Sequence, residues 1–125
     1  MPRKKPLVFL ATLETLFGGR AAARALLFLE NYGEGYANKI SKTFAMPLSE
    51  VQKQLAKFEE AGIFVSRMVG PSRIYTWNER DPALQELRAL LRKTLESGIP
   101  DKTLKQYYRE RQRPRRKGKP LNGNR

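Results

Sequence analysis

Tyr36-Ala-Asn-Lys-Ile-Ser-Lys-Thr-Phe44, then Ala45-Met46-Pro47, then Leu48-Ser-Glu-Val-Gln-Lys-Gln-Leu-Ala-Lys-Phe-Glu-Glu60 is the stretch that decides the fold. The first part predicts a short helix with Ile40 and Phe44 facing inward, and the second a tight break. In the third, Leu48, Val51, Leu55 and Phe58 recur at steps of three, four and three, which places them on one helical face. Its start reads two ways. Either Ser49 caps it, with Gln52 three residues later completing a capping box, or Pro47 takes the first helical position. Gly62 predicts the residue just past its end.

Downstream, residues 63–69 and 73–78 are rich in β-branched and aromatic side chains around Gly70-Pro71-Ser72, which signals a hairpin. Tyr75 and Trp77 share one face of their strand and read as core packing. Asp81-Pro82 predicts the cap of a long helix striped by Leu84, Leu87, Leu91 and Leu95 until Gly98. A further short helix fits 101–112. Beyond Pro114 the chain holds too little apolar surface to order itself.

Upstream, Pro6 opens a helix with Leu10, Leu13, Leu16 and Phe17 at helical spacing, stopped by Gly18-Gly19. A second helix fits 20–32, its propensity raised by four alanines and its buried stripe supplied by Ala25, Leu26, Phe28 and Leu29. Asn31-Tyr32-Gly33-Glu34-Gly35 reads as a turn. The fold class is therefore mainly α with a small β-hairpin: a helix-turn-helix followed by a wing. A basic arm at 1–6, a domain at 7–98 with flanking dimerisation helices, and a basic, partly disordered tail at 99–125 complete the organisation.

The 125 residues carry a net charge of +13, distributed unevenly. Arg3, Lys4 and Lys5 stand in the N-terminal arm without an acid, and residues 102–125 hold ten bases against Glu110 alone. The centre is nearly neutral. Two basic arms on a neutral centre favour a polyanionic partner. There is no Cys and no His, which removes disulfides, thiol chemistry, the commonest general base and the usual transition-metal ligands. No cofactor, no metal and no enzymatic activity are expected. The apolar stretch at 7–11 is too short for a signal peptide or a membrane span, so the expectation is a cytoplasmic protein without a membrane partner.

A helix-turn-helix presents its second helix to the DNA major groove, about 12 Å wide, where side chains reach base edges. With Leu48, Val51, Leu55 and Phe58 inward, the opposite face shows Ser49, Glu50, Gln52, Lys53, Ala56 and Lys57. Gln52 suits an adenine edge, Lys53 guanine, Glu50 the cytosine amino group, and Lys57 a phosphate. Arg67 and Arg73 flank the wing tip, placed to enter a minor groove or hold phosphates. Lys39 and Lys42 are further phosphate candidates. The competing reading of each is an ordinary solvated side chain.

Leu16-Phe17-Gly18-Gly19-Arg20, the Tyr-Ala-Asn-Lys-Ile-Ser-Lys segment at 36–42 and the 51–62 helix resemble the ArsR-type winged-helix regulators. The strand end Arg-Ile-Tyr-Thr-Trp-Asn at 73–78 and the following helix extend the likeness over residues 13–96. Within that family the chain resembles the winged-helix module found beside, or fused to, minimal nucleotidyltransferase domains. The resemblance implies a dimeric repressor of palindromic operators, with DNA contacts at Ser49, Gln52, Lys53, Arg67 and Arg73. Metal-sensing members of that family use Cys and His ligands, which this chain lacks.

The striped helices at the two ends of the domain also suggest a homodimer, since both stripes exceed what a small centre covers; the alternative is that they pack within one chain. Two other function classes fit less well. One is an antitoxin-like or adaptor module for an enzyme encoded nearby, docking through Phe64, Met68 and the terminal helices. The other is RNA binding, with Tyr107 and Tyr108 stacking bases among Lys105, Arg109, Arg111 and Arg113.

Overall fold

The computed structural model describes residues 8–97, 99, 103 and 106–108, with side chains from residue 11 onward. Along the chain run α1 (Val8–Phe17), α2 (Arg20–Tyr32), α3 (Ala37–Phe44), α4 (Leu48–Glu60), β1 (Phe64–Val69), β2 (Ser72–Trp77) and α5 (Leu84–Ser97). The helix opening at Pro6, the basic arm at 1–6, the Leu10 side chain, Gly98 and most of the tail lie outside the described residues.

The second helix is the axle of the domain. Ala21, Ala22, Ala23, Ala25, Leu26, Leu27, Phe28, Leu29 and Asn31 are all buried, so apolar residues cover nearly its whole circumference rather than one stripe. The alanines let neighbouring backbones approach, and α1, α3, α4 and α5 all pack against it. Leu26, Leu27 and Leu29 are fully buried; each contributes about 1.5–3 kcal/mol from that burial. On α1 the expected stripe divides. Leu13 is buried and Phe17 half-buried, whereas Leu16 is 63% exposed.

The break between α3 and α4 is three residues long. Ala45 takes a left-handed φ of 55°, a conformation that costs an L-residue about 1–2 kcal/mol. Two bonds hold it there: the Met46 N–H donates to the Ser41 carbonyl at 3.0 Å, and the Ser41 hydroxyl donates to the Met46 carbonyl at 2.6 Å. Neither expected start of α4 is realised. Pro47 is the extended cap residue, not the first helical one, and its carbonyl accepts from the Glu50 and Val51 N–H groups. Ser49 already lies inside the first turn and makes no capping bond.

Val51, Leu55 and Phe58 are buried as their spacing predicts. Leu48 is 37% exposed, because it opens the helix at the edge of the core, and Gln54 is buried instead. Past the helix, the Gly62 N–H donates to the Glu59 carbonyl and the Ile63 N–H to the Phe58 carbonyl. Gly62 takes a φ of 84°, completing the paired bonds of a Schellman motif.

The wing is tighter than its sequence suggests. Val69 pairs with Ser72, so the loop is Gly70-Pro71 alone and Ser72 belongs to β2. Gly70 has a φ of 61° while the ring of Pro71 holds a negative φ, the arrangement of a type II′ turn. Phe64, Tyr75 and Trp77 form an aromatic cluster with Phe58, the Phe64 ring lying 5.3 Å from both Phe58 and Trp77. Gly35, read as part of a turn, also makes an isolated antiparallel bridge to Tyr75.

The Asp81 carboxylate accepts from the Ala83 N–H at 3.0 Å, as a cap should, and α5 follows with Leu84, Leu91, Thr94 and Leu95 buried. Its stripe packs against α2 within the same chain, so this helix does not leave the uncovered apolar face that the dimer argument required. The Glu30 side chain, 4% exposed, accepts from Arg88 at 2.7 Å and Arg92 at 2.9 Å, which ties α2 to α5.

The chain then returns to the core. Thr103, Gln106 and Tyr107 are helical, inside the short helix expected at 101–112. Ile99 and Tyr108 are buried. Asn31 donates to the Tyr108 carbonyl at 2.8 Å, Tyr32 donates to that of Tyr107 at 2.7 Å, and both rings lie against Phe44. Tyr108 is 3% exposed, so it is not a base-stacking platform, and that part of the RNA reading fails.

Candidate nucleic-acid interface

The buried side of α4 fixes which side chains remain outward. Ser49, Gln52, Lys53, Ala56 and Lys57 are exposed, and Glu50 is half-buried. Among the described residues the side chains of Gln52 and Lys53 make no hydrogen bond or ion pair. They are free for a ligand. The other two charged groups of this face are engaged. Glu50 accepts from the buried Gln54 amide at 3.1 Å, which supplies the donor side of Gln54 with a partner. The Gln54 carbonyl oxygen is buried and has none among the described residues. Lys57 donates to the Phe17 carbonyl at 3.1 Å, and its ammonium lies 4.9 Å from the Phe58 ring.

The wing arginines do not act as a pair. Arg67 stands opposite Ile74 and Arg73 opposite Met68, so the two project from opposite faces of the hairpin. Arg67 lies 3.6 Å from Glu34, both side chains more than half exposed; such a surface pair holds the group only loosely. Arg73 donates to the Ser66 hydroxyl at 3.0 Å, and that hydroxyl donates to Glu59 of α4 at 2.7 Å. This short relay couples the wing to α4. Glu59 is its anchor. Spacing along the chain carries no signal for that contact, because it depends on where β1 lands against α4.

Burial raises the Tyr75 pKa above its ordinary value, the nearby Glu59 adds to the rise, and Arg73 opposes it. On α3, Lys39 and Lys42 are exposed one helical turn apart, with no hydrogen bond or ion pair among the described residues. Free cations therefore stand on α3 and α4, whereas Glu34, Glu50 and Glu59 all have partners. The surface is suited to anions. Among the described residues no cluster of His, Cys, Asp and Glu could hold a metal, and no helix is long and apolar enough to cross a membrane.

No family model matches this sequence, and no curated protein does. Among solved structures, reduced HlyU from Vibrio cholerae N16961 superposes with a TM-score of 0.52 at 16% identity, over 73% of this chain and 86% of that one. The AntR antimony-specific transcriptional repressor gives 0.46 at 17% identity, over 70% of this chain and 77% of that one. A transcriptional regulator of the MarR family from Rhodococcus sp. RHA1 gives 0.49 at 18%, over 81% and 77%. The first of these is a likeness of fold. Together with the three-residue turn and the paired wing, it makes this chain a winged helix-turn-helix.

Proposed function

We propose that this chain is a sequence-specific, double-stranded DNA-binding transcriptional regulator, a repressor of the ArsR-like kind, acting as a cytoplasmic homodimer. The observation that carries the reading is on α4. Val51, Leu55 and Phe58 are buried, while Gln52 and Lys53 on the other side are exposed and uncommitted. In this reading the helix at 48–61 enters a major groove, where Gln52 and Lys53 meet base edges beside Ser49 and Glu50. Lys39, Lys42 and Lys57 hold phosphates, and the wing at 63–78 brings Arg67 or Arg73, one per face, to the flanking backbone. The exposed Leu16 on α1 supports a two-fold partner at that end.

The basic arm and tail add phosphate contacts. With six to ten contacts in all, affinity falls by roughly 10³–10⁵ between 50 and 200 mM salt. The test is selection of bound fragments from the source genome by the full chain. Enrichment of a palindromic duplex sequence supports the reading, and Gln52→Ala should then relax discrimination at one position by about 1–3 kcal/mol. Equal retention of all duplexes would sink the sequence-specific claim.

A second reading, a docking module for an enzyme encoded nearby, is favoured by one observation: Val65, Met68 and Val69 are exposed on the wing. Phe64 takes no part in it, being buried. A tight protein partner together with no operator binding would favour this reading over the first.

A further inference from the structure

The C-terminal end of α2, the segment joining it to α3 and the first turn of α3 enclose a cleft of about 470 Å³. That volume lies within the usual range of small-molecule sites, roughly 300–1,000 Å³. Its walls are chemically uneven. Phe28 and Tyr32 supply an aromatic side, their ring centroids 4.5 Å apart, and Tyr36 adds a third, partly exposed ring. Lys39 supplies a cation without an ion pair among the described residues. Glu34 supplies a carboxylate whose partner among the described residues is the loosely held, exposed Arg67. Gly33, in a left-handed conformation at φ 91°, and Gly35 complete the lining.

We propose that this cleft binds a free aromatic amino acid. A ring lying on Tyr32 and Tyr36, above the buried Phe28 that backs them, removes apolar surface from water and gains aromatic contacts. The ligand carboxylate then meets Lys39 and its ammonium meets Glu34. Both charges of the ligand find opposite charges, which neither a simple carboxylate nor a simple amine achieves. A purely anionic ligand would face Glu34 uncompensated, and a purely cationic one would face Lys39. Lys39 also stands among the phosphate contacts proposed above, so the cleft is tested without DNA.

The experiment is a titration of the isotopically labelled full chain by NMR with L-tryptophan, indole-3-propionate and tryptamine. Tryptophan should give saturable shifts at the Gly33, Gly35, Tyr36 and Lys39 amides. Each analogue, lacking one charged arm, should bind at least about tenfold more weakly. Lys39→Met should reduce tryptophan to the affinity of tryptamine without changing tryptamine itself. No saturation by about 10 mM, shifts centred elsewhere, or equal binding of tryptophan and either analogue would overturn the assignment.

Discussion

The Lys57 ammonium donates to the Phe17 carbonyl at 3.1 Å, joining the outward face of α4 to the last turn of α1. A cation at a helix C-terminus interacts favourably with the exposed carbonyls there, by about 0.3–1 kcal/mol at a surface position. The same side chain thus serves the fold and stands on the proposed DNA surface. Lys57→Met should lower stability by about 0.5–1.5 kcal/mol, read as a lower urea midpoint with unchanged slope. Lys53→Met, with no partner among the described residues to lose, should stay within about 0.5 kcal/mol of wild type. Equal midpoints for both variants would refute the distinction.

Gly35 makes the next prediction. Its N–H donates to the Tyr75 carbonyl at 3.1 Å and its carbonyl accepts from the Tyr75 N–H at 2.8 Å, so the backbone cannot retreat. An added Cβ would lie 3.0 Å from Phe28 Cδ1 and 3.1 Å from Leu29 Cδ1. Both belong to the buried axle helix, which has little room to yield. Gly35→Ala should therefore cost about 1–3 kcal/mol, measured by thermal or urea unfolding. A variant as stable as wild type would show that α2 and the bridge can separate freely.

These two residues also mark the limit of what the sequence discloses. Val51, Leu55 and Phe58 were legible because an amphipathic helix repeats its burial every three or four positions, and Asp81-Pro82 because capping is local. The Gly35–Tyr75 bridge is a single pairing across forty residues, with no period to announce it. The contact of Lys57 with Phe17 and the return of Tyr108 to Asn31 are equally remote along the chain. The opposite projection of Arg67 and Arg73 follows from register, and register turned on whether Ser72 lay in the loop or the strand. Of the candidate site, the outward set on α4 was readable; which members were already engaged was not.

Glu30 is shared unequally between its two arginines. Arg88, 31% exposed, bonds it at 2.7 Å and also sets its guanidinium 5.7 Å from the Trp77 ring centroid. Arg92 bonds it at 2.9 Å from a more exposed position, 54%. Among the described residues, removing either leaves the buried carboxylate with one partner, and of the two arginines Arg88 alone carries the ring contact, worth about 0.5–2 kcal/mol. Arg88→Ala should cost roughly 2–3 kcal/mol and Arg92→Ala about 1 kcal/mol, after discounting both for solvent exposure. Urea melts of the two variants decide it, and an equal or larger loss from Arg92→Ala would contradict the assignment.

Tyr108 sets an alkaline limit on the fold. Burial pushes its hydroxyl pKa well above the ordinary 10.0, against a smaller opposing effect from Arg24. In the unfolded chain the group loses its proton near pH 10, while in the folded chain it keeps it. Unfolding then releases a proton, so stability is full below pH 10 and declines as the pH rises above it, by at most about 1.4 kcal/mol per pH unit for this group. Tyr75, also raised, acts in the same direction. Phenylalanine carries no titratable group, so Tyr108→Phe should show a shallower decline between pH 10 and 11.5, followed by urea melts at each pH. If the two proteins lost stability in parallel, the buried hydroxyl would not be the source of the alkaline sensitivity.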